Sequence, residues 1–256
     1  MRRRYCFFDF DGTLRSRTQD CVPASTARAL ELLRERGHFV ALATGRLQMN
    51  AVRLIAPYGI TSMVADGGNS VTIEGRLRWM EGMPLSECQR LLHWLDEHGW
   101  PWAVMVDNEL VRYTPRADFT QILPDTYIRT VVRPELRIDD LTRIYKFFVP
   151  CAPGEERAFP FGQVTWARYS DTCIYCEPTD KAVGIRKMMG EFGAPLSDVV
   201  VFGDGTNDVS MFRPEWTSVA MGNAIPTLKA KADLVTTDVD HDGIWNACVK
   251  LGLIDG

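Results

Sequence analysis

The sequence of 256 residues lacks features that are typical of several classes of protein. Its four histidines do not have the spacing of metal ligands, which disfavours a zinc site. No run of about eighteen apolar residues occurs, so no membrane-spanning helix is predicted. Positive charge is not in excess, because the formal net charge is −4, and this gives no electrostatic basis for binding nucleic acid.

The cysteines and the N-terminal segment predict a cytoplasmic protein with unpaired thiols. Seven cysteines are an odd number, scattered along the chain. Arg2–Arg4 precede an apolar stretch, but Asp9 and Asp11 make that stretch too short and too acidic for a secretory signal. Cys173 and Cys176 have CxxC spacing, yet a strand there would send the two thiols to opposite faces, so they are predicted to be structural.

The beginning and the end of the chain alternate between strand and helix patterns. This alternation predicts an α/β fold with a doubly wound, Rossmann-like parallel sheet. In the first part, strands and helices are predicted at Tyr5–Asp9, Ser25–Arg36, Phe39–Ala43, Gln48–Tyr58 and Ser62–Ala65. The pattern returns with a helix at Lys181–Phe192 and a strongly apolar strand at Val199–Phe202, followed by a short helix at Asp208–Phe212.

The middle of the chain has a different pattern, in which helices accompany antiparallel hairpins. A hairpin is predicted around Asp107–Glu109 and another around Ser170-Asp171. We therefore expect a catalytic core formed by residues 1–81 and 178–256, with an α+β insert at 82–177. Aromatic and arginine side chains of the insert could line a substrate pocket or pack its core: Trp102, Arg112, Tyr113, Trp166 and Arg168.

Polar residues cluster at the ends of the predicted core strands, where open α/β sheets bind ligands. Asp9 and Asp11 are two residues apart after the first strand, so both side chains can point the same way. Further clusters are Thr44-Gly45 after the strand Phe39–Ala43, Lys181 on the first turn of a helix, and Gly203–Asp208 after the strand Val199–Phe202.

These clusters together favour a site for a phosphoryl group and a hard cation. Several carboxylates without histidine suit Mg²⁺ better than zinc. A hydroxyl, an ammonium, an amide and exposed backbone N–H groups complement phosphoryl oxygens. Taken singly, Thr44 could cap a helix, Lys181 could be a solvated lysine, and Gly203–Asp208 could be a surface loop.

Five segments resemble the haloacid dehalogenase-like hydrolases, specifically the Cof-type sugar-phosphatase branch with a C2-type α/β cap. They occur in the order expected for that family in both core halves. The segments are FFDFDGTL (7–14), ATGR (43–46), DKAVGI (180–185), GDGTNDVSMF (203–212) and VAMGNAIPTLKAKADLVT (219–236).

The resemblance implies a role for each motif residue. Asp9 would be the nucleophile that forms an aspartyl-phosphate, and Asp11 the general acid and base, a role expected to need a raised pKa. Lys181 would bind the phosphoryl group and relieve its repulsion by Asp9. The other implied phosphate-binding residues are Thr44, Gly45 and Asn207, and the implied metal ligands are Asp9, Asp11 through its carbonyl, Asp204, and Asp208 through water.

The function implied is Mg²⁺-dependent hydrolysis of a small phosphorylated metabolite, a sugar phosphate first of all. Pyridoxal phosphate, nucleotides and flavin mononucleotide are alternative substrates, and a phosphomutase is an alternative reaction. A non-enzymatic binding protein would not need the whole set of residues. Two departures from the family pattern are Gly67, where asparagine is usual and for which Asp66 or Asn69 could substitute, and Ala182, where glycine is common.

Overall fold

A computed structural model describes residues 2–125 and 127–256, which form two compact units. The core unit comprises Met1–Trp79 and Asp180–Gly256, and the inserted unit comprises Met80–Thr179. Each unit has its own cluster of buried apolar side chains.

The core unit alternates strands and helices, as the sequence predicts. Its first part contains β1 (Tyr5–Phe8), α1 (Ala24–Glu35), β2 (Phe39–Ala43), α2 (Gln48–Ile55), β3 (Met63–Ala65), β4 (Ser70–Ile73) and β5 (Arg76–Met80). The elements of the inserted unit are α3 (Leu85–Glu97), β6 (Ala103–Met105), β7 (Val111–Thr114), α4 (Phe119–Ile122), β8 (Arg129–Val132), β9 (Lys146–Pro150), β10 (Trp166–Ser170) and β11 (Cys173–Cys176). The core then continues with α5 (Lys181–Phe192), β12 (Val199–Gly203), β13 (Thr217–Ala220), α6 (Pro226–Lys229), β14 (Leu234–Val235) and α7 (Gly243–Lys250).

The core sheet has the order β14-β13-β12-β1-β2-β3-β4-β5. Strand β1 lies between β12 and β2 and is parallel to both, with Phe8 level with Phe202 and Leu42. The chain passes from β1 toward β3 on one side and from β12 toward β14 on the other, so the order reverses at β1. This reversal leaves a crevice at the carboxyl ends of the three central strands. All residues of these strands are buried, and for this reason the sequence predicted them as apolar runs.

The sheet is not wholly parallel, because β4 pairs with β3 in the antiparallel direction and β5 continues at the edge. The sequence did not predict β4 and β5. Their connection uses Glu74 and Gly75, which have φ of 50° and 75°. Two successive left-handed residues are typical of a tight hairpin turn, but glutamate is an unusual residue at the first position, so the turn signal was weak.

Two predicted helices are shorter or tighter than expected. The helix predicted at Gln48–Tyr58 is α-helical only to Ile55 and ends in a 3₁₀ turn, Ala56–Tyr58. Pro57 explains this end, since proline has no N–H and restricts the residue before it. The helix predicted to start at Asp208 is a 3₁₀ segment, Thr206–Met211.

The inserted unit contains a six-stranded sheet with the order β10-β11-β9-β6-β7-β8. The two predicted hairpins are present as the antiparallel pairs β6–β7 and β10–β11, and β8, which was not predicted, is parallel to β7. Trp102 and Arg112 are buried, and the Arg112 guanidinium lies over the rings of Phe119 and Phe148. These two side chains therefore pack the interior of this unit.

The prediction of unpaired thiols agrees with the structure. All seven cysteines are unpaired thiols, and Cys173 and Cys176 are buried in β11. Among the residues that the structure describes, no helix combines the length and the apolar composition needed to cross a membrane.

Gly68 allows the loop after β3 to contact the residue that precedes α5. It has a φ of +113°, and a Cβ placed on it would lie 2.1 Å from the carbonyl oxygen of Asp180. The Asp180 side chain accepts a hydrogen bond from the Ala182 N–H and so caps α5, which begins at Lys181. The position of Lys181 therefore depends on a glycine in another part of the sequence.

We expect Gly68→Ala to lower the free energy of unfolding by at least about 2 kcal/mol, because it adds backbone strain and a clash with backbone atoms. The matched control is Gly190→Ala, in the exposed part of α5 with no atom within 4 Å of the added Cβ. That change should stabilise the protein by about 0.5–1 kcal/mol, since alanine favours the helix. Urea unfolding of both variants measures the difference, and equal midpoints would contradict it.

Candidate active site

The ends of three neighbouring strands bring the first site residues together. Asp9 directly follows β1, and its N–H donates to the carbonyl oxygen of Phe202 in β12 at 3.0 Å. Thr44 directly follows β2, and Asp204 directly follows β12. Parallel strands end at the same edge of a sheet, and for this reason the spacing of motifs along the sequence predicted their proximity.

The buried ammonium of Lys181 joins two carboxylates of this edge. Its Nζ lies 2.7 Å from Oδ1 of Asp9 and 2.6 Å from Oδ1 of Asp208. Only 1% of the Lys181 side chain is exposed, so it is not the solvated lysine considered as an alternative. Burial disfavours its charge, but Asp208 and Asp9 outweigh that effect and raise the pKa of Lys181.

Three carboxylates form a compact buried group. Asp9, Asp204 and Asp208 each offer an oxygen, and these oxygens lie within 4.8 Å of one another. Burial, followed by the charge of Asp208, raises the pKa of Asp9 to about 7, although Lys181 opposes the rise. Burial and Asp208 also raise the pKa of Asp204.

This donor set fits a hard divalent cation. Every donor in it is an oxygen, and the buried charge of Lys181, together with the largely exposed Arg17 beside Asp204, is smaller than that of three buried carboxylates. The remaining negative charge is costly to bury without a further cation, and the same burial and the charge of Asp208 raise the pKa of Asp9. Asp9, Asp204 and Asp208 are therefore suited to Mg²⁺.

Asp208 also shapes the turn after β12. Its Oδ2 accepts hydrogen bonds from the N–H groups of Asp204 and Gly205, both at 2.9 Å. The other oxygen, Oδ1, accepts a hydrogen bond from Lys181. The Asp208 carboxylate thus binds Lys181 and at the same time holds the first turn of the 3₁₀ segment in place. The segment 203–208 is an ordered part of the site, not the surface loop considered from the sequence.

Asp11 lies at the rim and is paired with two arginines. Oδ2 accepts hydrogen bonds from Nε and Nη2 of Arg46 at 3.1 and 2.6 Å, and Oδ1 accepts one from Arg15 at 2.9 Å. Burial alone would raise the pKa of Asp11, but Arg46 and Arg15 outweigh it and lower that pKa. The expectation that neighbours raise the pKa of Asp11 is therefore wrong for this arrangement.

The predicted phosphate-binding residues lie on separate segments of the same sheet edge. The Thr44 hydroxyl is buried and accepts the N–H of Arg46 at 3.1 Å, and Gly45 between them is partly exposed. Thr44 does not cap α2, since the N–H of Gln48 donates to Asp66. Asn207 is exposed on the 3₁₀ segment that carries Asp208.

Asp66 anchors the loop after β3, where the sequence departs from the family pattern. Asp66 is buried, and its Oδ2 accepts hydrogen bonds from the N–H of Gln48 and the hydroxyl of Ser70. Gly67 follows with a φ of 59°. Asp66 thus holds the start of α2 and β4 together.

Several contributors to the site were not assigned from the sequence. Arg15 and Arg46 pair with Asp11, the Thr13 hydroxyl donates to Asp204, and the Ser210 hydroxyl accepts the backbone N–H of Lys181. Thr13, Arg46 and Ser210 lie within the motifs themselves. Arg15 directly follows the first motif, and that spacing was the available signal.

Asp9 should make the stability of the protein, stripped of divalent cations with a chelator, depend on pH. The folded state keeps a proton on Asp9 up to about pH 7, whereas the unfolded chain releases it near the ordinary value of 3.8. This contribution is present at low pH and is lost as pH rises between these values, by at most about 1.4 kcal/mol per pH unit. Urea unfolding of the wild type and of Asp9→Asn from pH 4.5 to 7.5 measures it. Parallel pH profiles would refute the assignment, and Asp171→Asn, at an exposed turn, provides the control.

Comparison with known proteins identifies the family. The model of the haloacid dehalogenase-like hydrolases matches residues 6–248. YkrA of Bacillus subtilis (strain 168), named as a candidate phosphatase, is 33% identical over 99% of this chain and 100% of its own. Pyridoxal phosphate phosphatase YbhA of Escherichia coli (strain K12) is 27% identical over 95% of this chain and 97% of its own.

A solved structure agrees with this result. The subclass IIB sugar phosphatase BT4131 superposes with a TM-score of 0.77 at 25% identity, covering 98% of this chain and 100% of that one. The match extends over the core and the inserted segment of the sequence. The chain therefore belongs to the haloacid dehalogenase-like hydrolases and is a hydrolase enzyme, as its sequence motifs indicate.

Proposed function

We propose that this hydrolase is a Mg²⁺-dependent phosphatase of small phosphomonoesters that works through an aspartyl-phosphate on Asp9. The observation that carries the proposal is the buried group at the end of β1, in which Asp9 contacts Lys181 within a cluster of three carboxylates. The proposed phosphoryl acceptor, Asp9, therefore lies next to the ammonium of Lys181 and within the proposed set of metal ligands.

Asp9 is the nucleophile of this proposal. Its carboxylate attacks phosphorus, the ester P–O bond breaks, and the alcohol departs with the electron pair of that bond. Lys181 neutralises part of the charge on the transferring group and holds the carboxylate in one orientation through its bond to Oδ1. The hydroxyl of Thr44, the N–H of Gly45 and the amide of Asn207 are the proposed remaining phosphate-binding groups.

Asp11 has two consecutive tasks. It gives a proton to the departing alcohol, and it then removes one from the water that hydrolyses the aspartyl-phosphate. The pairing with Arg15 and Arg46 keeps Asp11 ionised, which suits the second task. Protonation for the first task requires that one of these two contacts loosens.

Mg²⁺ would be held by Asp9, Asp204 and the carbonyl oxygen of Asp11, with Asp208 binding through water, and would supply positive charge beside the transferring phosphoryl group. Each of these carboxylates needs a fixed orientation for that purpose. Asp204 has one oxygen bonded to the Thr13 hydroxyl at 3.1 Å, and Asp208 has both oxygens engaged.

The proposed substrates are sugar phosphates, and the inserted unit is the proposed selector of the leaving alcohol. The support comes from a relative that is a subclass IIB sugar phosphatase. A second relative is named a pyridoxal phosphate phosphatase, so pyridoxal phosphate is the substrate to compare first. Release of inorganic phosphate without an isomeric sugar phosphate distinguishes a phosphatase from a phosphomutase.

Asp9→Asn should reduce the hydrolysis of p-nitrophenyl phosphate by about a thousandfold or more, because the nucleophile is lost. Chelation of divalent cations should also abolish activity in the wild type, and added Mg²⁺ should restore it. Asp171→Asn makes the same chemical change at an exposed turn and should retain full activity. Activity that survives in Asp9→Asn, or that is indifferent to the chelator, would refute the mechanism.

Asp11→Asn should separate the two steps, because nitrophenolate departs without protonation whereas an alkoxide does not. With p-nitrophenyl phosphate the variant should release a burst close to one equivalent of nitrophenol and then turn over slowly, since the second step lacks its base. With a sugar phosphate it should show no burst. Rapid-quench measurement of both products tests this, and a linear time course with p-nitrophenyl phosphate at a wild-type rate would contradict the role of Asp11.

A further inference from the structure

Arg17 contacts oxygen atoms of two residues, Asp11 and Asp204, that are proposed ligands of Mg²⁺. Its Nη2 lies 2.5 Å from the carbonyl oxygen of Asp11 and 3.3 Å from Oδ2 of Asp204. The first atom is the proposed backbone ligand, and the second belongs to a proposed carboxylate ligand. One guanidinium nitrogen therefore contacts two groups that are proposed to hold the metal ion.

The turn after β1 directs this side chain toward the carboxylates. Gly12 has a φ of +91°, and its N–H donates to the carbonyl oxygen of Arg15 at 2.8 Å. A Cβ on Gly12 would lie 2.2 Å from Oδ2 of Asp204 and 2.7 Å from Nε of Arg17. Because glycine has no side chain, the guanidinium and the carboxylate can meet across this residue.

The backbone around Arg17 is held by hydrogen bonds, whereas most of the Arg17 side chain is exposed. The hydroxyl of Ser16 accepts the N–H groups of Thr18 and Gln19, and the Thr18 hydroxyl donates to Asp240 at 2.6 Å. By contrast, 61% of the Arg17 side chain is exposed, against 7% for Asp204. An exposed, flexible cation that contacts a buried carboxylate can be displaced into water at small cost.

We propose that Arg17 competes with Mg²⁺ and thereby sets the metal affinity of the site. The guanidinium and the metal ion need the same lone pairs and repel each other, so binding of Mg²⁺ requires that Arg17 leaves Asp204 and the Asp11 carbonyl. Until then Arg17 compensates part of the negative charge and keeps Asp204 oriented. The inference rests on the proposed function only in its choice of metal ligands.

The test is calorimetric titration of Mg²⁺ into chelator-treated, dialysed protein without substrate. Arg17→Gln should bind Mg²⁺ with a dissociation constant about three- to tenfold lower than that of the wild type. Arg17→Lys, which keeps the charge but loses the forked geometry, should fall between the two. Arg28→Gln removes the same charge at an exposed site that pairs with Glu31 and Glu35, and it should leave the affinity unchanged.

A spectroscopic measurement follows the displacement directly. The side-chain Nε–H resonance of Arg17, assigned by its loss in Arg17→Gln, should shift as Mg²⁺ is added to the wild type. Arg17→Lys retains a cation at this position and serves as the second variant if Arg17→Gln does not fold.

The outcomes that would overturn the inference are distinct from those that bear on the phosphatase. Unchanged or weaker Mg²⁺ binding by Arg17→Gln, or an Arg17 resonance that does not move at saturation, overturns the competition and leaves the proposed function intact. Absence of Mg²⁺ binding in the wild type overturns it together with the metal assignment. An equal gain in affinity in Arg28→Gln also overturns it, since the effect would then be one of net charge alone.

Discussion

The site depends on the contact of one buried ammonium with two carboxylates from opposite halves of the core sequence. Lys181 bonds Asp9 at the end of β1 and Asp208 after β12, so it compensates charge that folding would otherwise bury at high cost. The helix cap at Asp180 and the close approach of Gly68 both serve to place this lysine. The stability of the core and the proposed chemistry therefore rest on the same interaction.

Two carboxylates that are two residues apart have opposite environments. Asp9 is buried among other acids, and its pKa is raised, whereas Asp11 is at the rim between arginines, and its pKa is lowered. The partners produce this difference within a few residues, because Asp9 contacts Lys181 in the buried group whereas Asp11, just before the turn at Gly12, pairs with Arg15 and Arg46. Such a separation is typical of sites in which two acids have different roles, and the proposed mechanism gives them attack and proton transfer.

The sequence predicted the strand ends well because apolar strands buried on both faces are unambiguous, and motifs that follow them must share one edge of the sheet. It did not reveal the arginines around Asp11, since a long side chain can reach several partners and its choice depends on packing. It also missed the hairpin of β4 and β5, where Glu74 adopts an unusual conformation. Tertiary contacts decided each of these features.

The cap on α5 has a consequence for the exchange of the inserted unit, which is the proposed selector of the leaving alcohol. Asp180 is the residue at which the chain re-enters the core unit, and it caps the helix that begins with Lys181. The inserted unit could be exchanged for one of different sequence if the junction precedes Asp180. Recombination that removed Asp180 would disturb the lysine itself, so the boundary at which modules can be swapped is set by a helix cap.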